Sequence, residues 1–260
     1  MKLQRLPLKR LLASALLAVG LSAQADGLQV SPVSLTLAAS QQADGLWLTN
    51  TGNEAMQVQV RVFGWSQSAA AGDQLTPSSA LQASPPMLSL APGARQLVRV
   101  IRAGAAPAGP DEQAFRLIVD ELPLEQPQAT ASAAAPAKSG TGGLTYVLRH
   151  SLPVFLLPAG AAPSAPQLAW SLATAQGKAV LQAENRGGTH AQISRVQFTP
   201  AGGQTIEVNP GLMGYVLPGA VMRWPLAPTL ASLRGTGQWQ LDINGKTEQP
   251  DIAPLERNAR

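Results

Sequence analysis

Apolar and polar residues alternate in short runs throughout the first half of the chain. The run "MQVQVRV" places Val58, Val60 and Val62 on one face of a strand, and "QLVRVI" repeats the pattern over residues 97–101. Turn sequences rich in Asn, Gly and Pro, such as "TNTGNEA" and "APG", separate these runs at intervals of about ten residues. A period of two with this turn spacing predicts an all-β sandwich, and no stretch shows a sustained helical period.

The same pattern starts again after a short segment rich in Ala and Pro, "AGAAPSAPQ". The runs "AVLQAEN", "AQISRVQFTP" and "GQWQLDIN" then indicate a second β unit of ordinary domain size. The predicted organisation is a first domain over residues 26–158, a linker over 159–166, a second domain over 167–250 and a tail over 251–260. A single sandwich divided by a surface loop is the alternative.

The first 25 residues have the features of a secretory signal peptide. Four basic residues lie within the first ten positions, an apolar core follows over residues 11–21, and Ala23-Gln24-Ala25 is an A-x-A cleavage site. We therefore expect the mature chain to begin near Asp26. The alternative, a membrane anchor, would need an apolar core of about 20 residues.

Removal of this segment changes how the charge is interpreted. The whole chain has 19 Lys and Arg against 15 Asp and Glu, and the signal peptide contains four of the basic residues and no acidic one, which leaves 15 against 15. A neutral mature chain argues against a nucleic-acid partner. The absence of cysteine in an exported protein means that core packing alone stabilises the fold, and this favours a bacterial periplasm.

The sequence contains no recognisable catalytic or metal-binding motif. There is no G-x-S-x-G, no H-E-x-x-H and no phosphate-binding loop, and "KSGTGG" precedes a strand rather than a helix. The two histidines, His150 and His190, have no carboxylate at a motif spacing and are interpreted as ordinary surface residues. Asp120 and Glu121 are neighbours on a strand and point to opposite faces. We expect no metal, no cofactor and no enzymatic activity.

A long irregular segment over residues 123–143 precedes a well-patterned strand. The segment is rich in Ala, Gly, Ser, Thr and Pro, and a loop of that length in a compact domain is functional or disordered. In the strand that follows, Leu144, Tyr146 and Leu148 lie on one face. These side chains either face the core of their own domain or add a strand to the open sheet of another protein, in which case main-chain hydrogen bonds supply the affinity.

Six segments, in order, resemble the periplasmic pilus-assembly chaperones of chaperone–usher systems, the PapD-like family. They are "LQVSPVSLTL", "LWLTNTGNEAMQVQVRVFGW", "ASPPMLSLAPGARQLVRV", "FRLIVDELP", "LRHSLPVFLLP" and "GYVLPGAVMRW". The extended loop before "LRHSLPVF", together with "LPVF" itself, is most similar to the archaic branch that includes Csu-type and spore-coat-U-like systems. The resemblance covers nearly all of the mature chain.

The resemblance implies two immunoglobulin-like domains in an L-shaped arrangement. It also implies donor-strand complementation, in which the chaperone lends a strand to a pilus subunit that lacks one. The lent strand would be residues 144–148, with Leu144, Tyr146 and Leu148 filling the pockets of the subunit. Val33, Leu35 and Leu37 would belong to the N-terminal strand beside the same groove, and Pro32 would limit pairing there.

The chain departs from the family at the expected anchor for the C-terminal carboxylate of the subunit. Many members use two cations, but the corresponding positions here are Ser34 and Pro153. A buried carboxylate requires charge-assisted donors. The candidate replacements are Arg116 and Arg149, with a slight preference for Arg116, and Arg99 and Arg102 are more distant options.

The predicted function is that of a periplasmic chaperone for pilus or spore-coat-U-like subunits that delivers them to an outer-membrane usher. Alternatives are a structural subunit or adhesin, a carbohydrate-binding sandwich and a glycosidase with two separated carboxylates. An adhesin would need a donor extension at the mature N-terminus, where "DGLQVSPV" leaves almost none. The sugar-binding alternative would need exposed aromatic residues, whereas the tryptophans at 65, 170, 224 and 239 fall within strand patterns.

Overall fold

The computed structural model describes residues 27–122, 147–160, 162–175, 178–226 and 237–252. All regular elements in this part of the chain are β-strands, which form two sandwiches joined by a short connection. The strands of the first sandwich are β1 (Leu28–Ser31), β2 (Leu35–Leu37), β3 (Ala43–Asn50), β4 (Met56–Ser68), β5 (Gly72–Pro77), β6 (Leu81–Ser84), β7 (Met87–Leu90), β8 (Arg95–Arg102), β9 (Gln113–Leu122) and β10 (Arg149–Leu156).

The second sandwich begins after the connection. Its strands are β11 (Leu168–Ala175), β12 (Lys178–Asn185), β13 (Ala191–Pro200), β14 (Ile206–Val216), β15 (Val221–Pro225), β16 (Gly237–Ile243) and β17 (Lys246–Glu248). The fold class predicted from the sequence, all-β with two sandwich domains, is confirmed. Within the described ranges, no helix is long and apolar enough to cross a membrane.

Two sheets pack face to face in the first sandwich. One has the order β1-β3-β8-β6, and the other has the order β2-β10-β9-β4-β5, with β7 also paired to β4. The N-terminal segment contributes to both sheets, because β1 pairs antiparallel with β3 whereas β2 pairs parallel with β10. Pro32 lies in the short crossing between them, where the missing N–H costs no ladder hydrogen bond.

Inward-facing residues of these strands form the core of the first sandwich. The alternation that predicted strands from the sequence has the same phase in the structure, since Val58, Val60, Val98 and Val100 are at most 2% exposed. Val62 is partly buried against the same core. Burial of a side chain of this kind contributes about 1.5–3 kcal/mol, so the two sheets are held together chiefly by this apolar layer.

The second sandwich has a three-stranded sheet, β11-β12-β15, and a four-stranded sheet, β14-β13-β16-β17. Its core extends beyond its own strands, because Trp65 of β4 and Phe155 of β10 belong to the same apolar cluster as Phe198 and Trp239. The two sandwiches therefore share buried surface, and the side chains at their junction are fixed by packing from both.

A buried asparagine fastens the end of β3 in the first sandwich. The Asn50 side chain is fully buried, and its Nδ2 donates to the carbonyl oxygens of Glu54 and Leu90 at 2.7 and 3.0 Å. Its Oδ1 accepts from Gly52 N at 2.9 Å. The turn "LAPGA" beside it closes on the Asn50 backbone, whose oxygen accepts from the N–H of Gly93, a residue with φ of 70°. Glycine suits that turn because other residues rarely adopt a positive φ.

The second sandwich has the same arrangement of a buried asparagine at the end of β12. Asn185 is also fully buried and donates to the carbonyl oxygens of Thr189 and Val216 at 2.8 and 3.0 Å. The adjoining turn is "VLPGA", whose Gly219 donates to Asn185 O and has φ of 68°. The two domains thus share a local motif, an asparagine at a strand end joined to a turn containing Pro-Gly-Ala.

Candidate functional site

Half of one edge of β10 has no strand beside it in the described part of the chain. On one side β10 pairs with β9 along its whole length, from Arg149 opposite Asp120 to Leu156 opposite Gln113. On the other side β2 covers only the stretch from Val154 to Leu156. An edge of this kind presents unpaired N–H and C=O groups, which form a template for another strand.

A groove of about 590 Å³ runs beside this open edge, between the start of β10 and β1. Apolar residues on its rim are exposed: Val33 is 72% and Leu148 is 42% exposed, and the neighbouring Val147 is 50% exposed. The buried Nε2 atom of His150, which lines the groove, has no hydrogen-bond partner among the described residues. An exposed apolar groove next to an open strand edge is typical of a protein-binding surface.

The residues predicted to form the lent strand lie only partly within the described ranges. Leu144 and Tyr146 fall outside them, and Leu148 immediately precedes β10. Leu148 packs close to the N-terminal segment, because a Cβ at Gly27 would lie 3.2 Å from its Cδ1. Leu35 and Leu37 of the predicted N-terminal strand face the core of their own sandwich, being at most 4% exposed. The assignment of residues 144–148 to a lent strand stays a prediction.

Strand register brings the two expected cation positions next to Arg116. Pro153 of β10 pairs with Arg116 of β9, and Arg116 pairs with Phe63 of β4. Ser34 directly precedes Leu35, whose partner Val154 directly follows Pro153. Ser34, Pro153 and Arg116 therefore lie in one row across the sheet, and the only cation of the row is on the third strand.

This row lies on the face of the sheet that is directed away from the core of the first sandwich. Val154 is fully buried in that core, whereas Phe155, the next residue, packs into the cluster of the second sandwich. Because neighbours on a strand point to opposite faces, Pro153, Phe155 and their row partners face the cleft between the sandwiches. The Arg116 guanidinium is thus held in the cleft.

Two aromatic rings enclose the Arg116 guanidinium. Its Cζ lies 3.6 Å from the ring centre of Trp65 and 5.5 Å from that of Tyr215, which belongs to the second sandwich. The side chain is 13% exposed. Cation–π contact is worth up to about 2 kcal/mol for a desolvated cation. Both domains therefore hold the guanidinium in place.

Arg116 has little electrostatic compensation in this position. Burial lowers the pKa of Arg116, and electrostatic interactions with Asp73 and Tyr215 only partly offset that effect. An arginine nonetheless stays protonated in proteins. Its nearest carboxylate is Asp73, 3.8 Å away, and its guanidinium makes no hydrogen bond to any described residue. A partly buried cation with unused donors is suited to bind a carboxylate.

Arg149, the second predicted anchor, is already paired. Its Nε donates to Asp120 Oδ1, and Arg61 of β4 donates to the other oxygen, Oδ2, at 2.6 Å. Although burial raises the pKa of Asp120, hydrogen bonds and charges from Arg149 and Arg61 outweigh it and hold that pKa below its ordinary value. The Arg149 side chain is 64% exposed. Arg149 is therefore already paired with a carboxylate and solvated, which makes it the weaker candidate.

The more distant options, Arg99 and Arg102, lie on β8 in the other sheet of the first sandwich. Arg102 is buried and donates to the carbonyl oxygens of Ala39 and Gly104. It therefore supports the loop after β2, and its strand is not one of those that face the cleft.

Aromatic stacking joins the two sandwiches behind the cleft. The rings of Phe155 and His190 are parallel, with centres 3.6 Å apart, and Trp65 meets Tyr215 edge to face at 5.5 Å. Such pairs contribute about 0.5–1.5 kcal/mol each beyond the area they bury. His190 is therefore a junction residue, and its interpretation as an ordinary surface residue was wrong.

Two polar side chains that line a cavity of about 490 Å³ connect the two sandwiches by hydrogen bonds. Gln67 of β4 donates to Tyr215 O at 2.9 Å and accepts from Leu217 N at 2.8 Å. Glu112, whose side chain is 1% exposed, accepts from the backbone N of His190 at 2.6 Å and lies 2.7 Å from its Nδ1. These clamps and the aromatic contacts define the geometry of the cleft.

Sequence reasoning missed Gln67, Glu112, Trp65 and Tyr215 as cleft residues. Glu112 and His190 are 78 positions apart and Gln67 and Leu217 are 150 apart, so no local motif could connect them. The one signal in the sequence was "VFGW", in which Trp65 follows Phe63 by two positions and therefore shares its face of the strand. Within the described ranges, no group of His, Asp and Glu is arranged to hold a metal ion.

Comparison with known proteins identifies the class. A family model described as pili and flagellar-assembly chaperone, PapD N-terminal domain, matches residues 27–162, which is more than half of the chain. The chain belongs to this family of pilus-assembly chaperones, a class that is not enzymatic and whose chaperone–usher members are periplasmic. A search of curated proteins gives no significant match.

Solved structures share the fold over both sandwiches. The chaperone–tip adhesion subunit complex CsuC–CsuE from the archaic Csu pili of Acinetobacter baumannii matches at 24% identity and a TM-score of 0.66, covering 88% of this chain and 100% of that chain. The chaperone DraB of E. coli matches at 17% identity and a TM-score of 0.57, with coverages of 88% and 97%.

A chain from the Salmonella enterica complex of the SafA pilin with the SafB chaperone also matches. It has 15% identity and a TM-score of 0.58, with coverages of 88% and 98%. The family and the fold agree with the resemblance found in the sequence. The chain therefore has the fold of these chaperones and belongs to their family.

Proposed function

We propose that this chain captures pilus or spore-coat-U-like subunits in the periplasm by lending them a strand, and then delivers them to an outer-membrane usher. The observation that carries the proposal is the open half-edge of β10, which begins beside an apolar groove and is preceded by residues 144–148. The basic and apolar segment at the N-terminus supports export. The action is binding, with no chemical reaction catalysed.

Strand alternation supports the assignment of the lent side chains. Leu152 and Val154 of β10 face the core of the first sandwich, and Leu148 has the same parity. Continued upstream with a period of two, that parity includes Tyr146 and Leu144. A subunit paired with this edge would bury all three side chains in its own open core, which covers its apolar surface and its unpaired edge together.

The cleft supports a second contact, with the C-terminal carboxylate of the subunit. Arg116 lies in the row that contains the family cation positions, is enclosed by Trp65 and Tyr215, and has donors to spare. A guanidinium can bind a carboxylate through two parallel hydrogen bonds. If Arg116 held the C-terminus of the subunit, it would set the register in which the subunit strand pairs with β10.

Co-expression of the tagged chaperone with the small β-rich subunits of its own pilus system tests the strand. We expect Leu148→Glu to reduce the co-purified subunit at least about tenfold, because a carboxylate would enter the apolar core of the subunit. Leu144→Glu combined with Leu148→Glu should abolish capture. Val147→Glu is the matched control, since Val147 and Leu148 are both exposed but have opposite parity. Equal capture by all three variants would exclude the lent-strand assignment.

The same assay separates the two arginines. Arg116→Gln should lower capture about tenfold or more, because truncating one partner of a buried charge pair costs several kcal/mol. Arg149→Gln should stay within about threefold of the wild type, because a solvated charge contributes little. The opposite ranking would move the anchor to Arg149.

A further inference from the structure

One carboxylate of the chaperone itself lies beside the proposed anchor. Asp73, near the start of β5, is separated from Arg116 by 3.8 Å between Oδ2 and a guanidinium nitrogen. The separation is too long for a hydrogen bond, so the contact is electrostatic. The Asp73 side chain is 49% exposed, whereas that of Arg116 is 13% exposed. The cation is fixed, and its counter-ion sits at the solvent side of the cleft.

Asp73 also has a partner that can hold it away from Arg116. Its Oδ1 accepts from Gln67 Nε2 at 2.8 Å, and the two residues face each other in the β4–β5 ladder. The carboxylate therefore has a hydrogen bond that does not depend on the arginine. It can move toward Gln67 and solvent when another anion approaches.

We propose that Asp73 is an affinity-setting residue, an internal carboxylate that competes with the C-terminal carboxylate of the subunit for Arg116. This inference rests on the proposed function of Arg116. In the free chaperone, Asp73 offsets the charge of a guanidinium that has lost most of its water. In the complex, two carboxylates share one guanidinium, and their mutual repulsion weakens the hold on the subunit.

A competitor of this kind suits a protein that must both hold its cargo and release it. The long, exposed contact of Asp73 is weak enough for an incoming carboxylate to displace, since exposed ion pairs contribute little. Its negative charge remains close after displacement. The result is a bound state that is less stable than Arg116 alone would give.

The charge of Asp73 can be removed without removing its hydrogen bond. Asp73→Asn keeps an oxygen that can accept from Gln67 Nε2, so the hairpin and the junction stay supported. Glu54→Gln, in the exposed loop between β3 and β4, makes the same change in net charge at the opposite end of β4 and serves as the control. Arg116→Gln removes the anchor itself.

The test is an NMR titration of the mature, ¹⁵N-labelled protein at constant ionic strength, following the Arg116 side-chain N–H resonance and the Trp65 indole resonance. The probes are N-acetylglycine, which ends in a carboxylate, and N-acetylglycinamide, which does not. We expect N-acetylglycine to half-saturate Asp73→Asn at a concentration about three- to tenfold lower than the wild type, as loss of one nearby like charge predicts. Glu54→Gln should bind N-acetylglycine at the same concentration as the wild type. N-acetylglycinamide should show no difference between the wild type and Asp73→Asn.

Each other outcome excludes a specific part of the proposal. Equal or weaker carboxylate binding by Asp73→Asn, with normal binding by the wild type, overturns the role of Asp73 and leaves the anchor in place. If Arg116→Gln still shows the same Trp65 titration, or if the wild type shows none, the anchor assignment fails and the role of Asp73 fails with it. If Asp73→Asn bound N-acetylglycinamide more tightly than the wild type by the same factor as N-acetylglycine, the substitution would have changed the shape of the site rather than its charge, and the role proposed for Asp73 would be excluded.

Discussion

Two asparagines illustrate how much a single buried side chain can support. Asn50 and Asn185 each lie at a strand end, are fully buried and supply both donors and acceptors to backbone groups of neighbouring turns and strands. Backbone groups buried without hydrogen bonds are costly. These residues are therefore part of the fold and not of the binding chemistry.

Replacing either asparagine with alanine should destabilise its sandwich. Asn50→Ala removes the hydrogen bonds of the side chain to Gly52 N and to the oxygens of Glu54 and Leu90, and we expect a loss of about 3 kcal/mol in the free energy of unfolding. Denaturant titration followed by tryptophan fluorescence would measure it, and Asn185→Ala should give a similar loss.

Asn209→Ala is the control for these two variants. Asn209 accepts a single exposed hydrogen bond, from Gly211 N, so its replacement should change stability by no more than about 0.5 kcal/mol. A loss for Asn50→Ala no greater than that of the control would mean that water reaches the backbone groups at the end of β3.

At the scale of elements, the outer face of the β4-β9-β10 sheet is joined by an ion triad. Asp120 of β9 lies between Arg61 of β4 and Arg149 of β10, so one carboxylate links three neighbouring strands. Both arginines are exposed at their guanidinium ends, whereas Asp120 is buried. The triad holds together the strand that carries Arg116 and the strand that presents the open edge.

The lowered pKa of Asp120 predicts how this support depends on pH. Because the pKa is lower in the folded chain than the ordinary value of about 3.9, the contribution of the triad to stability is complete above that value. It is lost as the pH falls through the folded pKa. Asp120→Asn should therefore be less stable than the wild type at pH 7, and the difference should shrink toward pH 3.

Urea titrations of both proteins at pH 7, 5, 4 and 3 would measure this dependence. Asp44→Asn, on β3 in the other sheet, controls for the loss of one negative charge. A stability difference between the wild type and Asp120→Asn that did not change over this range would show that the contribution of Asp120 to folding does not depend on its charge.

The strands themselves were predictable, whereas their junction was not. Alternation fixes which side chains of a strand share a face, so the core positions Val58, Val98 and Val100 followed from local pattern alone. The repeated asparagine and Pro-Gly-Ala turns were visible as "TNTGN" with "LAPGA" and "ENRGG" with "VLPGA", but their hydrogen bonds depend on which strands meet.

The anchor position shows the same limit. From sequence, Arg116 was slightly preferred to Arg149 because apolar residues surround it in "AFRL" and its strand was expected beside the lent one. Register supplies the physical distinction, since it places Arg116 beside Pro153 and places Arg149 against Asp120. Pairing between distant strands is not encoded in any local pattern, which is why sequence alone gave only a slight preference for Arg116.

At the scale of the whole molecule, the cleft exists because two sandwiches are held at a fixed orientation. The aromatic cluster supplies burial but little direction, since apolar contact is non-directional. Gln67 and Glu112, which both line the cavity, supply the direction through hydrogen bonds to backbone groups of the second sandwich. We infer that these two side chains set the angle between the domains.

Removing both clamps should loosen the orientation while each sandwich stays folded. In Gln67→Ala combined with Glu112→Ala, the N–H groups of Leu217 and His190 lose their acceptors, at a cost of about 1–3 kcal/mol each. Both domain cores retain their own side chains. Residual dipolar couplings would detect the change, because one alignment tensor should describe both sandwiches in the wild type and two should be needed in the variant.

The matched control removes equivalent side chains that do not cross the junction. Gln74 bonds only to Ser68 within the β4–β5 hairpin, and Glu54 lies in the β3–β4 loop, so Gln74→Ala with Glu54→Ala should leave a single tensor. If the clamp variant also kept a single tensor, stacking of Phe155 on His190 and of Trp65 on Tyr215 would by itself fix the angle. The row of Ser34, Pro153 and Arg116 would then face a cleft whose geometry depends on aromatic packing alone.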